Sequence, residues 1–170
     1  MNERISQIQI RRATAMDVAE MASVLYESFI EYESLYTPEG FAATTPKSDR
    51  IQERLSEGPT WVALRDKAIV GTVSALPKED ELYVRSMAIL PLARGRGIGK
   101  LLLEQVEHFA REHGHARLFL STTPFLLRAI RLYEHFRFER SDEGLHDLFG
   151  TPLFTMSKRL DGERSDANES

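Results

Sequence analysis

Residues 94–100 read Arg94-Gly95-Arg96-Gly97-Ile98-Gly99-Lys100, and LLLEQVEHFAREHG (101–114) follows at once. Three glycines and three cations therefore stand directly ahead of an amphipathic helix. Glycine in a regular element costs about 0.5–1 kcal/mol of backbone entropy, so this density implies that something approaches the backbone closely. The helix is predicted from Ile98 to about His113. Ile98, Leu101, Leu102, Val106 and Phe109 form its buried stripe, and Gly114 suits the first position past its end. The free amides of a helix N-terminus, with the macrodipole behind them, make an anion site. Arg94, Arg96 and Lys100 add charge to it.

Working outward, Glu81–Leu90 reads as a strand ended by Pro91, and Thr60–Arg65 with Ala68–Leu76 as a hairpin around Asp66-Lys67. Ile5–Arg12 alternates as a strand does. Thr14 can cap a helix carrying Met16, Val18, Met21, Leu25 and Phe29, and Ser48–Glu57 is a short polar helix. Periodicity fails between Glu31 and Pro46, so EYESLYTPEGFAATTP is expected to be loop-rich. Downstream come a strand at Ala116–Thr122, a helix at Leu126–His135, and strands at Phe136–Arg140 and Leu153–Leu160 linked by SDEGLHDLFGTP. This order predicts an α/β fold around one mixed sheet. Residues 1–160 read as a single domain and 161–170 (DGERSDANES) as a polar, disordered tail.

Composition narrows the chemistry. The chain has 170 residues, a net charge of −4 and no cysteine. Lack of cysteine excludes a disulfide scaffold, a thiolate zinc site and a cysteine nucleophile. An acidic balance argues against nucleic acid as partner. No run approaches eighteen apolar residues, and the first thirty lack the pattern of a signal peptide, so no membrane contact and a cytoplasmic location are expected. His108, His113 and His115 crowd a helix end without metal-ligand spacing, so no metal is expected.

Two phosphate-binding patterns fail on counting. A P-loop ending at Gly99-Lys100 needs glycine where Arg94 stands and a hydroxyl where Leu101 stands. The dinucleotide fingerprint needs its third glycine at Lys100 or Leu102. Arg/Gln-x-x-Gly-x-Gly/Ala does match, at Arg94, Gly97 and Gly99. On this element, on SMAILPLARGRGIGKLL around it, and on Ala129-x-x-x-Tyr133-Glu134 downstream, the chain resembles the GNAT superfamily of N-acetyltransferases. The resemblance covers most of the chain. It implies a predominantly antiparallel mixed sheet flanked by helices, with a splayed strand pair holding acetyl-CoA as cosubstrate. Gly95, Gly97, Ile98 and Gly99, with Arg94, Arg96 and Lys100, are then the pyrophosphate site. Met87 and Ile89, on a bulged strand, would pair with the pantetheine arm. Two positions depart from the family pattern: Leu126 stands where many members have asparagine, and Arg137 where many have glycine.

The same resemblance implies direct acetyl transfer to a primary amine in a ternary complex, with Tyr133 as general acid to the departing thiolate. An unperturbed tyrosine has a pKa of about 10 and keeps its proton at neutrality. The Ile89 amide could bond the carbonyl oxygen. Glu81 is the candidate base, and Glu27 and Glu31 are weaker ones. The acceptor, a small molecule or a protein amine, is expected between the two long loops. Tyr32, Tyr36, Phe41, His146 and Phe149 are its candidate walls, and Glu31, Glu33 and Glu39 could attract a cation. Family analogy also suggests a homodimer through the last strands. Two rival readings are a non-catalytic acetyl-CoA sensor and a nucleic-acid module using the basic loop with Arg111 and Arg117.

Overall fold

The computed structural model describes residues 7–141, 143 and 146–160; the expected polar tail lies outside them. In chain order the elements are β1 (Ile8–Arg12), α1 (Val18–Phe29), α2 (Pro38–Thr44), α3 (Ser48–Glu57), β2 (Thr60–Arg65), β3 (Ala68–Lys78), β4 (Glu81–Ile89), α4 (Ile98–Glu112), β5 (Arg117–Thr122), α5 (Leu127–His135), β6 (Glu139–Arg140), β7 (His146–Leu148) and β8 (Thr151–Arg159).

The glycine loop sets the start of α4. Gly97 is its N-cap at φ +79°, a left-handed conformation that a side chain resists. Ile98, Leu102, Leu103, Val106 and Ala110 then face the sheet and are buried. Leu103 takes the place expected of Leu101, and Phe109 is half-buried with its ring 5.7 Å from Trp61. At the far end Gly114 N donates to Arg111 O and His115 N to Ala110 O, the paired bonds that close a helix through a residue of positive φ.

The sheet order is β1-β2-β3-β4-β5-β8-β6, with β7 pairing to β8. Every pair is antiparallel except β4 with β5. Asp66 and Lys67, at φ +50° and +72°, make the two-residue turn of the expected hairpin. Trp61 and Ala63 pack on the face that α4 covers, while Val62 and Leu64 meet α1 and α3 on the other. Two cores thus sandwich one sheet.

A bulge in β4 decides the geometry of the site. Between Thr72↔Ala88 and Ser74↔Arg85, β4 carries one residue more than β3, and Ser86 sits at φ +56°. The extra residue flips the alternation. Before it Leu82 and Val84 lie in the α4-side core; after it Met87 and Ile89 pack there and Ala88 joins the other.

Three expectations are corrected. The segment 31–46 is mostly ordered: a 3-10 turn (Ile30–Leu35) leads into α2, capped by Thr37 Oγ1, which accepts from Gly40 N at 3.0 Å. Thr37 also donates to Phe149 O at 2.8 Å and, through its amide, to Thr151 Oγ1 at 2.9 Å. These bonds hold α2 on the last hairpin. The linker before β8 contains a strand of its own, β7. Finally, Phe136–Phe138 is no strand. It closes α5, with Phe138 N donating to Tyr133 O and Arg137 at φ +72°. That conformation explains the glycine preference at this position, since a left-handed residue with a Cβ costs about 1–2 kcal/mol.

Candidate active site

β4 and β5 pair over only three residues, Glu81–Tyr83 against Arg117–Phe119, and then part. A cleft of about 800 Å³ occupies the gap and runs from the 94–100 loop to α3 and the 3-10 turn. β4 turns backbone groups away from β3 and into it. Leu90 N donates to Val70 O at 2.9 Å. Hydrogen-bonded and non-bonded pairs alternate along an antiparallel ladder, so Ile89, opposite Gly71, points its amide and carbonyl away from β3. Met87, two residues back, points the same way.

At the upper end the first intrahelical bond of α4 runs from Leu101 N to Gly97 O at 3.1 Å. The amides of Ile98, Gly99 and Lys100 precede it and have no intrahelical acceptor. A Cβ placed on Gly97 would meet nothing within 4 Å, whereas one on Gly99 would lie 2.6 Å from Leu132 Cδ2. The two glycines therefore serve different ends. Gly97 sets the turn and leaves its outer side bare; Gly99 lets α4 lie against α5. Met87, Ile89, Arg94, Gly95, Gly97, Ile98, Gly99 and Lys100 all line the cleft, but Arg96 does not. Ser28, whose buried Oγ lacks a partner among the described residues, lines it too.

Arg94 differs from expectation in one respect. Its guanidinium donates to Ser28 O at 2.9 Å, to Ile89 O at 3.3 Å and to the Glu31 carboxylate. Its side chain thus ties the end of α1 to the end of β4, and it is the backbone of Arg94 that sits at the loop. Arg128 and Arg131 of α5 also line the cleft. Sequence reasoning missed both, because solvated cations and site cations on a short helix look alike.

Tyr133 lines the cleft from α5 with Ala129 and Leu132, next to Leu126 at the helix's N-cap. It is 6% exposed. Burial, with minor help from Tyr36 and Tyr83, pushes its pKa above the ordinary tyrosine value. Burial likewise pushes Tyr36 up to about 12. Both hydroxyls are therefore neutral donors at physiological pH.

Glu81 is not brought to the site. Its carboxylate accepts from Arg117 Nη1 at 2.9 Å, and it does not line the cleft. Among the expected acceptor walls, Tyr32 and Tyr36 do line it. Phe41 instead packs against Tyr26 and Tyr36, His146 Nε2 bonds Ser121 Oγ at 3.0 Å, and Phe149 is exposed. Glu33 and Glu39 are exposed and Glu31 is held by Arg94, so the anticipated acidic lure is absent from the described lining. Arg54, Tyr83 and Arg85 stand there instead.

No helix among the described residues is long and apolar enough to cross a membrane. The profile of the Acetyltransferase (GNAT) family matches residues 24–138. An uncharacterised N-acetyltransferase of Escherichia coli K12, YjgM, is 33% identical over 142 residues, covering 80% of this chain and 84% of its own. Among solved structures, the PaiA N-acetyltransferase of Thermoplasma acidophilum in complex with coenzyme A superposes with a TM-score of 0.79 at 18% identity, over 91% of this chain and 99% of that one. YncA of Salmonella typhimurium, solved with acetyl-CoA, gives 0.71 at 21% identity, over 91% and 94%.

Proposed function

This chain belongs to the GNAT acetyltransferase family, and from that premise we propose that it moves the acetyl group of acetyl-CoA to a primary amine by direct transfer in a ternary complex. The observation that carries the reading is the gap between β4 and β5, with bare α4 amides at its upper end and Tyr133 on its wall. Coenzyme A and acetyl-CoA in the PaiA and YncA structures support the choice of cosubstrate.

Acetyl-CoA supplies an acyl group already activated as a thioester. The amides of Ile98, Gly99 and Lys100 hold the pyrophosphate, at the positive end of the helix dipole. Met87 and the amide of Ile89, whose carbonyl Arg94 Nε already holds, face the pantetheine arm as a neighbouring strand would, and that amide also suits the acyl carbonyl oxygen. Tyr133 would give its proton to the departing sulfur as the C–S bond breaks, and the proton that the acylated nitrogen sheds to solvent restores the phenol. No carboxylate and no imidazole stands among the described lining residues. With Glu81 outside this lining, solvent is our assignment for the proton that the amine gives up before attack.

Thermal unfolding with increasing acetyl-CoA, followed by a CoA-release assay on an amine panel, tests the reading. A cosubstrate bound only by the native state raises Tm, by the equivalent of about 2.7 kcal/mol at a hundredfold excess over Kd. CoA release that depends on the amine is the expected second result. A Tm shift without any amine-dependent release would favour the acetyl-CoA sensor. No shift at millimolar acetyl-CoA would remove both.

A further inference from the structure

The charge of the cleft is one-sided. Its described lining holds six cations, Arg54, Arg85, Arg94, Lys100, Arg128 and Arg131, and no acid. Arg94 and Lys100 belong to the loop and the first turn of α4, and Arg128 and Arg131 to α5. Arg54 and Arg85 need another explanation. Arg85 lies four residues before Ile89, about 10–13 Å down the strand, and so well below the loop that receives the phosphates. The two flank the bulge, where Arg54 Nη1 donates to Ser86 Oγ at 2.7 Å.

Neither guanidinium is fully satisfied. Arg85 Nη2 donates to Glu57 Oε2 at 2.6 Å, yet the Nε atoms of both Arg54 and Arg85 are buried without a partner among the described residues. Glu57 is also shared with Arg50, at 3.1 Å, and does not line the cleft. Burial first, then repulsion from Arg85 and Arg50, lowers the pKa of Arg54 from its ordinary value. Two partly buried cations side by side repel one another unless an anion lies between them. A carboxylate does so well, since the guanidinium fork matches its two oxygens. A second cation there would meet Arg54 and Arg85 with the single carboxylate of Glu57, itself shared with Arg50, against them.

We infer that the acceptor is a small amine that carries its own carboxylate, an amino acid, with Arg54 and Arg85 holding that carboxylate beside the bulge of β4. This rests on the acetyltransferase reading and names the substrate class of its site. Phe29, Tyr32, Leu148 and Leu153 line the same cleft and give it apolar wall for a side chain.

The test compares amines that carry a carboxylate with amines that carry none. Phenylalanine is compared with phenylalaninamide and phenethylamine, and aspartate with spermidine, on the wild type and on Arg54→Met and Arg85→Met. CoA release is measured, and binding of each amine to CoA-saturated protein is measured separately by calorimetry. The acids are expected to surpass the amines without a carboxylate by about 10–100-fold in kcat/KM. Each variant should raise KM for the acids by a similar factor and change KM for the amines without a carboxylate far less. Uncharged or cationic amines reacting as well as acids in the wild type would overturn the inference and leave the transferase standing, a result that holds even if the variants fail to fold. Acids that bind through the arginines but are never acetylated would keep the anion site and remove the transferase. Acids that neither bind nor react would remove the site.

Discussion

Tyr133→Phe is expected to lower kcat by at least about 100-fold while the affinity for CoA stays within a few-fold of wild type. General-acid catalysis is typically worth about 10²–10⁴-fold, and phenylalanine keeps the ring that packs 5.8 Å from Phe138. Stability should change little, because the hydroxyl has no bond to a described residue that the change would break. Burial raises the folded-state pKa above about 10, so the proton is retained where an exposed tyrosine would begin to lose it. The wild-type rate should therefore show no alkaline decline from this group below pH 10. Steady-state kinetics from pH 6 to 10 read both effects. A variant as fast as wild type, or a wild-type decline centred near pH 9 that the variant lacks, would remove Tyr133 from the acid role.

The second large effect is expected at Gly97. A valine there takes a β-branched side chain into φ +79° and aims it where the structure has nothing within 4 Å. Strain alone should cost about 1–2 kcal/mol of stability, and no neighbour needs to move. Ligand binding should suffer far more. Blocking two charge-assisted bonds to the pyrophosphate, each worth about 1.5–3 kcal/mol, raises Kd for CoA by 100-fold or more. Gly97→Ala separates the causes, since it shares the strain but fills less space, and should lose less affinity for a similar loss of stability. Calorimetric titration with CoA beside urea unfolding measures both. Normal CoA affinity in Gly97→Val would mean that the space outside the turn is not where the phosphates go.

The core of the fold was legible because local signals agreed there. Strand, proline, glycine turn and amphipathic helix follow one another from Glu81 to Glu112, each with its own period or cap. α2 was missed although Thr37-Pro38 is a proper helix start. Seven residues carry too little periodicity to show. The bulge at Ser86 was not legible from β4 itself and came only with the family resemblance.

The site was legible where backbone made it and obscure where charges crossed the fold. The glycines announced the loop. Arg94 looked like a phosphate ligand until the chain brought Glu31, sixty-three residues earlier, against it. Glu81 shares a strand face with Tyr83 and Arg85, yet its partner is Arg117, across the short parallel pairing. Arg54 sat in a helix that reads as polar and solvated, and only the docking of α3 against β4 turned it to the cleft. Spacing in sequence gives a side chain's face; its partner depends on tertiary packing.

Titration of 15N-labelled protein with coenzyme A, followed by amide NMR, tests the central claim most directly. The largest shifts should fall on Gly97, Ile98, Gly99 and Lys100, with Met87 and Ile89 next. Saturation elsewhere on the surface, with those six amides unmoved, would contradict it.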